Sequence, residues 1–184
     1  MTLSVNDRII VQVDQSQKDC MMIGGVKVLL GQKYQTNYRE KSPILAEVLE
    51  GDGRLNKGDI ILCHHNHFYG TSPYHLFDEL YSIPANHTIF AVLSPSGMLL
   101  PVYGNVLASR VEIETSLPVP AEFLEYHIDR GLILDGGWTR FSPGDMVFTR
   151  PHSLYEIVYI WDGEERRSWK INSEMICAVI PAKN

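Results

Sequence analysis

The two halves of this chain carry the same motifs in the same order, and this internal repeat most constrains the fold. The halves begin alike, with "VNDRIIVQVD" in the first and "YGNVLASRVE" in the second. Further matches follow in order: Lys57-Gly58-Asp59 with Pro143-Gly144-Asp145, Ile83 with Ile171, and Ala91-Val92 with Ala178-Val179. Ordered matches of this kind predict two copies of one unit, residues 1–96 and 97–184, joined at Ser94-Pro95-Ser96-Gly97.

Most segments of both copies have the composition of short β-strands. They are rich in β-branched residues and are bounded by glycine and polar turns. The segments are "RIIVQVD" (8–14), "ILAEVLE" (44–50), "GDIILC" (58–63), "HTIFAVLS" (87–94), "GNVLASRVEIE" (104–114), "GLILDGG" (131–137), "GDMVFTR" (144–150), "EIVYIW" (156–161) and "EMICAVI" (174–180). Many short strands at this density predict an all-β fold of barrels or sandwiches with little helix.

Two further segments have distinct local patterns. "PAEFLEYHIDR" (120–130) is the one stretch with helical spacing, because Phe123, Leu124 and Ile128 would share one side of a helix. "WDGEERRSW" (161–169) predicts a hairpin, since an Asp-Gly turn signal lies between apolar strands. Its charged residues are expected at a solvated tip.

The composition excludes several functional classes. The 184 residues include 45% hydrophobic and 21% charged residues, as in ordinary globular domains. A net charge of -6 argues against a nucleic-acid partner, because phosphate binding needs a basic surface. No apolar run approaches the length that spans a bilayer, and no secretory signal is visible, so we expect no membrane association. Three widely spaced cysteines without a C-x-x-C motif suggest reduced thiols in the cytoplasm.

No catalytic motif is present in the sequence. It contains no G-x-S-x-G, no phosphate-binding loop and no H-E-x-x-H. The pairs Asp129-Arg130 and Glu125/His127 are explained more simply as charges on a surface helix. The chain is therefore predicted to be a non-enzyme without a cofactor.

The segment "CHHNH" (63–67) is the one candidate metal site. On a strand, Cys63, His65 and His67 would point the same way, and His75 or Glu79 could complete a set of four ligands. The second copy does not preserve these residue types, since the same register reads Thr-Arg-Pro at 149–151. Hydrogen-bonded or solvated side chains at a hairpin tip are therefore favoured over a metal site.

The order of motifs in the first copy resembles that of the GroES-type co-chaperonins. The resemblance covers nearly all of the first copy and the latter part of the second. It is carried by Asp7-Arg8 before an apolar run, Gly24-Gly25 before aliphatic residues, Ala46-Glu47-Val48, Gly51-Asp52-Gly53, Lys57-Gly58-Asp59 and Ile89-Phe90-Ala91-Val92. It implies two tandem GroES-like β-barrels that assemble into a ring and cap an ATP-driven, GroEL-type chaperonin.

In this family a mobile hydrophobic loop after the glycine pair contacts the chaperonin. The resemblance assigns that role to Ile23, Gly24, Gly25, Val26, Val28, Leu29 and Leu30. Lys27 interrupts the aliphatic run, so Val28, Leu29 and Leu30 are the best contact triplet. The alternative is an ordinary β-hairpin whose aliphatic residues belong to the core, because "VKVLL" also fits a strand.

Two departures from the family pattern leave a second function open. The roof hairpin of the family is reduced to "RLN" in the first copy and to "WTRFS" in the second. The second copy has "TSLPVPAEFLEYHIDR" (115–130) in place of the glycine-pair loop. A GroES-like oligomeric structural or phage-related protein that binds no chaperonin is therefore the alternative, with a metal-binding protein built on Cys63, His65 and His67 as a third interpretation.

Overall fold

The computed structural model describes residues 8–13, 20–23, 26–29, 44–64, 67–68, 73–114, 124–161 and 164–182. This part of the chain is almost entirely β-strand and contains no α-helix, and a 3₁₀ turn at Ser173–Met175 precedes the last strand. The all-β prediction is therefore confirmed. No helix in the described ranges is long and apolar enough to cross a membrane.

The described residues form fifteen strands. Those of the first sheet and of a small hairpin are β1 (Arg8–Gln12), β2 (Cys20–Ile23), β3 (Val26–Leu29), β4 (Ile44–Glu50), β5 (Ile60–Cys63), β6 (His75–Phe77), β7 (Leu80–Pro84), β8 (Ile89–Leu93) and β9 (Leu99–Pro101). Those of the second sheet are β10 (Asn105–Glu112), β11 (Tyr126–Asp135), β12 (Met146–Thr149), β13 (Tyr155–Trp161), β14 (Glu164–Asn172) and β15 (Ile176–Ile180).

The two large sheets have the same strand order. The first sheet runs β6-β7-β1-β4-β5-β8-β9 and the second runs β13-β14-β10-β11-β12-β15. Strand for strand the orders correspond, except that β9 adds a seventh strand to the first sheet. Every pairing in both sheets is antiparallel. The two halves thus share one topology.

Residue registers also correspond between the sheets. Ile83 lies opposite Ile9 just as Ile171 lies opposite Val106. The β1–β4 ladder has a bulge after Ile10, and the β10–β11 ladder has one after Leu107. Second bulges follow Leu62 and Phe148 at matching places. Because a bulge bends its strand at a defined position, matched bulges give the two sheets matched bends.

The Gly-Asp turn that the sequence repeats has one geometry in both halves. Gly58 and Gly144 both have φ of +91°, a left-handed conformation that favours glycine. Each glycine donates its N–H at 2.8 Å, to the carbonyl of Val48 in the first sheet and of Ile133 in the second. In each turn the aspartate carboxylate accepts a backbone N–H at 2.8 Å. Local chemistry therefore explains why the motif occurs twice.

In the described part of the chain three apolar clusters form the core, and one of them joins the two sheets. The first lies within the first sheet and includes Ile9, Val48 and Ile61, and another lies within the second sheet around Ile133. The joining cluster combines Leu62, Phe90, Ala91, Leu93 and Leu99 of the first sheet with Leu107, Ile157 and Tyr159 of the second. The sheets are therefore packed against each other.

Two predictions about local structure have different outcomes. The helix predicted over 120–130 is wrong where the structure describes it, because Tyr126 begins β11 and pairs with Glu112. Ile128, assigned to the apolar side of that helix, is 54% exposed. Residues 120–123 lie outside the described ranges. The hairpin in 161–169 is confirmed, since β13 and β14 pair from Tyr155 to Trp161.

The strand pairings show how far each sheet extends and whether a ladder closes it into the predicted barrel. The first sheet continues through β9 to Pro101, past the predicted boundary at residue 96. Within the described strands, no ladder joins the first and last strand of either sheet. Closure of each sheet into a barrel, and the division at residue 96, therefore stay predictions.

Candidate functional site

The apolar segment predicted to contact a chaperonin forms a separate antiparallel hairpin. Strands β2 and β3 pair with each other and with neither large sheet. The ladder joins Ile23 to Val26, Met22 to Lys27, Met21 to Val28 and Cys20 to Leu29. Four predicted contact residues, Ile23, Val26, Val28 and Leu29, therefore lie in this hairpin. The other three, Gly24, Gly25 and Leu30, lie outside the described residues.

The register of the hairpin divides its residues into two faces. Successive residues of a strand alternate between faces, and directly paired residues share one. Met21, Ile23, Val26 and Val28 thus belong to one face, and every member is apolar. The other face has Cys20, Met22, Lys27 and Leu29, so Lys27 gives it a charge. The triplet predicted from the sequence, Val28, Leu29 and Leu30, therefore contains residues of both faces, since Val28 belongs to the first and Leu29 to the second.

Among the residues that the structure describes, a hairpin of this kind is found only in the first half. It lies in the connection between β1 and β4, residues 13–43. The corresponding connection of the second sheet runs from β10 to β11, and Ile113 donates its N–H to the Glu125 carbonyl near its base, at 2.9 Å. The two halves therefore share a sheet topology but differ in this connection.

Cys63 lies in the core of the first half. It is the last residue of β5, is fully buried and packs in the same apolar cluster as Ile61. Burial raises the pKa of the Cys63 thiol well above its ordinary value. The thiol therefore stays protonated, whereas metal binding and nucleophilic attack both need the thiolate.

His67 is buried and held by a short chain of hydrogen bonds. Its Nε2 lies 2.7 Å from the Thr88 hydroxyl oxygen, and that hydroxyl donates to the Asn86 side-chain oxygen at 2.6 Å. Since the hydroxyl proton is used on Asn86, the hydroxyl accepts from His67, and Nε2 carries the ring proton. Nδ1 is buried without a hydrogen-bond partner. Burial, together with the nearby His64 and His87, lowers the pKa of His67 to about 4.

These contacts do not assemble a metal site. Across the described ranges no group of three or more His, Cys, Asp or Glu side chains is placed to hold a metal ion. His65, the middle member of the predicted set, lies outside those ranges. His75, a predicted fourth ligand, places Nε2 2.9 Å from the Asp78 carbonyl. His67 and His75 therefore have hydrogen-bonding roles.

The burial of His67 predicts a loss of stability in acid. Its pKa is about 4 in the fold and 6.5 ordinarily, so the unfolded chain binds more protons between these values. The stabilisation is complete above pH 6.5 and is lost as the pH falls towards 4. We expect His67→Ser to remove about 2–3 kcal/mol of the pH dependence of the free energy of unfolding in this window. Urea titrations at pH 7.0, 5.5 and 4.5 measure it.

Serine is the appropriate replacement because the second half uses it at the same place. Ser153 donates its N–H to the Arg150 carbonyl just as His67 donates to that of His64, and Ser153 is also buried. His152→Ser, at the exposed position next to Ser153, is the His-to-Ser control for this comparison. An unchanged slope in His67→Ser would contradict the assignment.

A buried lysine at the junction of the sheets was not predicted from the sequence. Lys170 of β14 is 8% exposed, and its Nζ lies 3.2 Å from the side-chain oxygen of Asn105 and 4.2 Å from the ring centroid of Phe90. Burial lowers the pKa of Lys170 to about 8. A lysine of low pKa can act as a nucleophile, but this amine is covered by Asn105 and Phe90. It connects the second sheet to β8 of the first.

Comparison with known proteins identifies no relative. No family model matches the sequence, and no curated protein or solved structure is similar enough to count as a match.

Proposed function

We propose that this chain is a co-chaperonin of the GroES type, which caps an ATP-driven chaperonin and assists protein folding. The observation that carries the proposal is the β2–β3 hairpin, an apolar ladder that pairs with neither large sheet. A hairpin without main-chain pairing to either large sheet is able to pair or pack with a partner. The resemblance of the flanking motifs to the co-chaperonin family supports the same role.

The hairpin would bind by burying its apolar face in a groove of the chaperonin. Met21, Ile23, Val26 and Val28 supply that face, and methionine adapts well to a partner surface. Burying one aliphatic side chain contributes about 1.5–3 kcal/mol before ordering costs are subtracted. A hairpin that is already paired would lose less conformational entropy on binding than an unstructured loop.

If several copies of the chain assemble, their weak hairpin contacts would together give stable capping of the chaperonin. Several hairpins presented together raise the effective concentration of each later contact, so total affinity greatly exceeds that of one hairpin. The nucleotide would belong to the chaperonin, and this chain would have no catalytic role. Expected partners are therefore a GroEL-type chaperonin and further copies of the same chain, in the cytoplasm.

Binding to a chaperonin tests the proposal directly. The double variant Ile23→Ser with Val28→Ser, on the apolar face, should lower retention on immobilised GroEL-type chaperonin with ATP by at least about 100-fold, and Leu29→Ser with Leu30→Ser, which changes a residue of the opposite face, should lower it less. Lys27→Ser is the matched control, because it alters the same hairpin without removing apolar area. Circular dichroism should show unchanged strand content in all three proteins. Wild-type retention by both double variants would refute the proposal.

The turn that replaces the roof hairpin favours a second candidate function. The backbone N–H groups of Arg54 and Leu55 donate to one Asp52 carboxylate oxygen at 2.9 and 3.1 Å, and the Tyr103 hydroxyl donates to the other at 2.8 Å. Although burial opposes them, these bonds lower the pKa of Asp52. The turn is thus short and closed on itself, and nothing in it extends over a chamber.

A GroES-like oligomer with a structural role, and no chaperonin partner, is consistent with this turn. Limited proteolysis separates the two candidates. Cleavage within 20–40 that disappears when chaperonin and ATP are added indicates the co-chaperonin. Cleavage there that chaperonin and ATP leave unchanged indicates the structural oligomer.

A further inference from the structure

We infer that the free edge of β13 binds an extended segment of a non-native polypeptide, which it adds to the second sheet as a further strand. Strand β13 lies at one end of that sheet and is bonded to β14 alone among the described strands. Apart from this ladder, no backbone group of residues 155–161 has a hydrogen-bond partner in the described part of the chain. The inference goes beyond the capping of a chaperonin and does not depend on it.

The other free edges of the described sheets are protected against strand addition, and the β13 edge is not. Strands β6 and β9 have three residues each, β6 has an irregular register after His75, and β9 contains Pro101. The ladder of β15 has a bulge. By contrast, all seven residues of β13 pair with β14 in an unbroken register. Short length, proline and bulges are devices by which proteins block sheet edges, and β13 has none of them.

Charge does not protect the β13 edge either. The sequence of β13 is YEIVYIW, and Glu156 is its single charged residue. The Glu156 carboxylate is already paired within the hairpin, since it lies 3.6 Å from Nη1 of Arg167 on β14. A segment added to β13 would therefore meet no unpaired charge of this strand. An uncharged, apolar segment is favoured there, because an added charge would be desolvated without a partner.

The internal repeat shows that a long β13 is not needed to complete the sheet. Strand β6 has the same place in the first sheet with three residues. In the second half the corresponding hairpin is extended, to seven residues in β13 and nine in β14. The longer edge measures about 23 Å at roughly 3.3 Å per residue, which is the length of an added strand of similar size.

The β13 edge is held rigidly before any partner arrives. Ile157 and Tyr159 are buried in the cluster that joins the two sheets. The Tyr159 hydroxyl donates to the Gly97 carbonyl at 3.2 Å, and Nη1 of Arg166 donates to the carbonyls of Ser96 and Gly97 at 3.3 and 3.2 Å. An edge that is already fixed in its strand conformation loses little entropy when a partner binds.

The register of the hairpin identifies the backbone groups that face outwards. Trp161 pairs with Glu164 at the end of the ladder next to the turn, so this pair exchanges hydrogen bonds. Hydrogen-bonded and non-hydrogen-bonded pairs alternate along an antiparallel ladder. Glu156, Val158 and Ile160 therefore direct their N–H and C=O groups away from β14. Such groups bind an added strand whatever its sequence, and alternate side chains supply the apolar contacts.

The size of the edge favours a flexible polypeptide over a second copy of this chain. Two β13 strands paired with each other would bury little beyond seven residues on each side. Stable complexes bury about 1,200–2,000 Å² of total surface. Extended segments with alternating apolar side chains are exposed in non-native proteins and buried in folded ones, so this edge selects non-native chains. Binding would be weak and tolerant of sequence, as transient capture requires.

Peptide binding tests the inference. The probe is a fluorescein-labelled peptide of alternating valine and threonine residues, flanked by lysines for solubility. Fluorescence anisotropy should show saturable binding to the wild-type chain without chaperonin or nucleotide. Val158→Pro should weaken binding at least about tenfold, because it removes an outward N–H and places the proline ring at the edge. Val158→Thr keeps the N–H and the β-branched side chain, so this control should bind within about twofold of the wild type.

A second peptide separates strand addition from charge attraction. The same peptide with every backbone nitrogen methylated keeps its charges and side chains but has no N–H to donate, so it should not bind. Circular dichroism should show unchanged strand content in both Val158 variants, since proline is tolerated at an outward position of an edge strand. Equal binding by the wild type and Val158→Pro, or binding of the methylated peptide, would overturn the inference.

Amide hydrogen exchange locates the contact without any substitution. Saturation of the wild-type chain with the unmethylated peptide should slow exchange at Glu156, Val158 and Ile160 at least about tenfold. The amides of the intervening residues are already bonded to β14 and should change little. Exchange that is unchanged at these three amides would place the peptide elsewhere and overturn the inference.

The outcome is independent of chaperonin binding. Ile23→Ser with Val28→Ser should bind the peptide as the wild type does, whereas loss of binding in that variant would place the peptide on the β2–β3 hairpin and overturn the inference. Val158→Pro should be retained by chaperonin as the wild type is. Sedimentation velocity tests the other occupant of the edge. A wild-type assembly that dissociates in Val158→Pro would assign the edge to a second copy of the chain and overturn the inference.

Discussion

Replacing Gly51 with alanine is expected to destabilise the first half by on the order of 3–5 kcal/mol, or to prevent its folding. A methyl group on Gly51 would lie 1.8 Å from the backbone carbonyl oxygen of Leu55. That oxygen belongs to the turn that Asp52 closes, so it cannot move aside without breaking the turn. Urea unfolding followed by circular dichroism measures the loss.

The second half contains the same close approach. A methyl group on Gly136 would lie 1.9 Å from the carbonyl oxygen of Phe141, so Gly136→Ala should be similarly destabilising. Gly53→Ala is the matched control in the same turn as Gly51. It has φ of +90° but no atom within 4 Å of the added carbon, so it should cost only about 1–2 kcal/mol. Equal losses for Gly51→Ala and Gly53→Ala would show that the close approach is not the cause.

Replacing Asn105 with alanine is expected to cost about 3–4 kcal/mol, because this fully buried side chain lies within hydrogen-bonding distance of four polar groups, although its amide nitrogen has only two protons to donate. Its amide nitrogen lies within 3.0 Å of the carbonyl oxygens of His87, Ile89 and Val102. Its side-chain oxygen accepts from Lys170. Without Asn105, the Lys170 ammonium would stay buried with no described hydrogen-bond acceptor.

A double-mutant cycle identifies the part of this loss that belongs to the lysine. Lys170→Met alone should be close to neutral, because it removes a buried charge and keeps the packing volume. Adding Lys170→Met to Asn105→Ala should restore about 1–2 kcal/mol, because the unpaired amine is then absent. Strictly additive losses would contradict the coupling of Asn105 and Lys170.

The pH dependence provides an independent measure of the same pair. The pKa of Lys170 is about 8 in the fold and 10.5 ordinarily, so the unfolded chain binds more protons between these values. Lys170 therefore adds a rise in stability between pH 8 and 9.5, whereas the buried Cys63 thiol, with its raised pKa, opposes it, so the slope of stability against pH in this window should be lower in Lys170→Met than in the wild type. The measurement should stop below pH 10, because Tyr103 then contributes with the opposite sign. Burial and Asp52 raise the pKa of Tyr103, so the folded chain keeps a proton that the unfolded chain loses, and stability falls at higher pH.

Sequence reasoning succeeded where a feature depends on neighbouring residues. Alternation and β-branched composition identified the strands, and the Asp-Gly signal identified the β13–β14 hairpin. It failed at 120–130, where pairing of β11 with β10 overrode helical spacing. For the histidine segment it identified the residues but not their roles, because the buried positions of Cys63 and His67 depend on distant strands.

By itself the sequence determined that this protein is made of short strands and that its second half repeats the first. Both follow from local chemistry, since strand alternation and the left-handed Gly-Asp turn are encoded within a few residues. Only the tertiary structure decided that Asn105 and Lys170 meet at the sheet junction, that β2 and β3 pair apart from the sheets, and that β15 keeps a free edge. These depend on contacts between residues far apart in the chain, which no local pattern records.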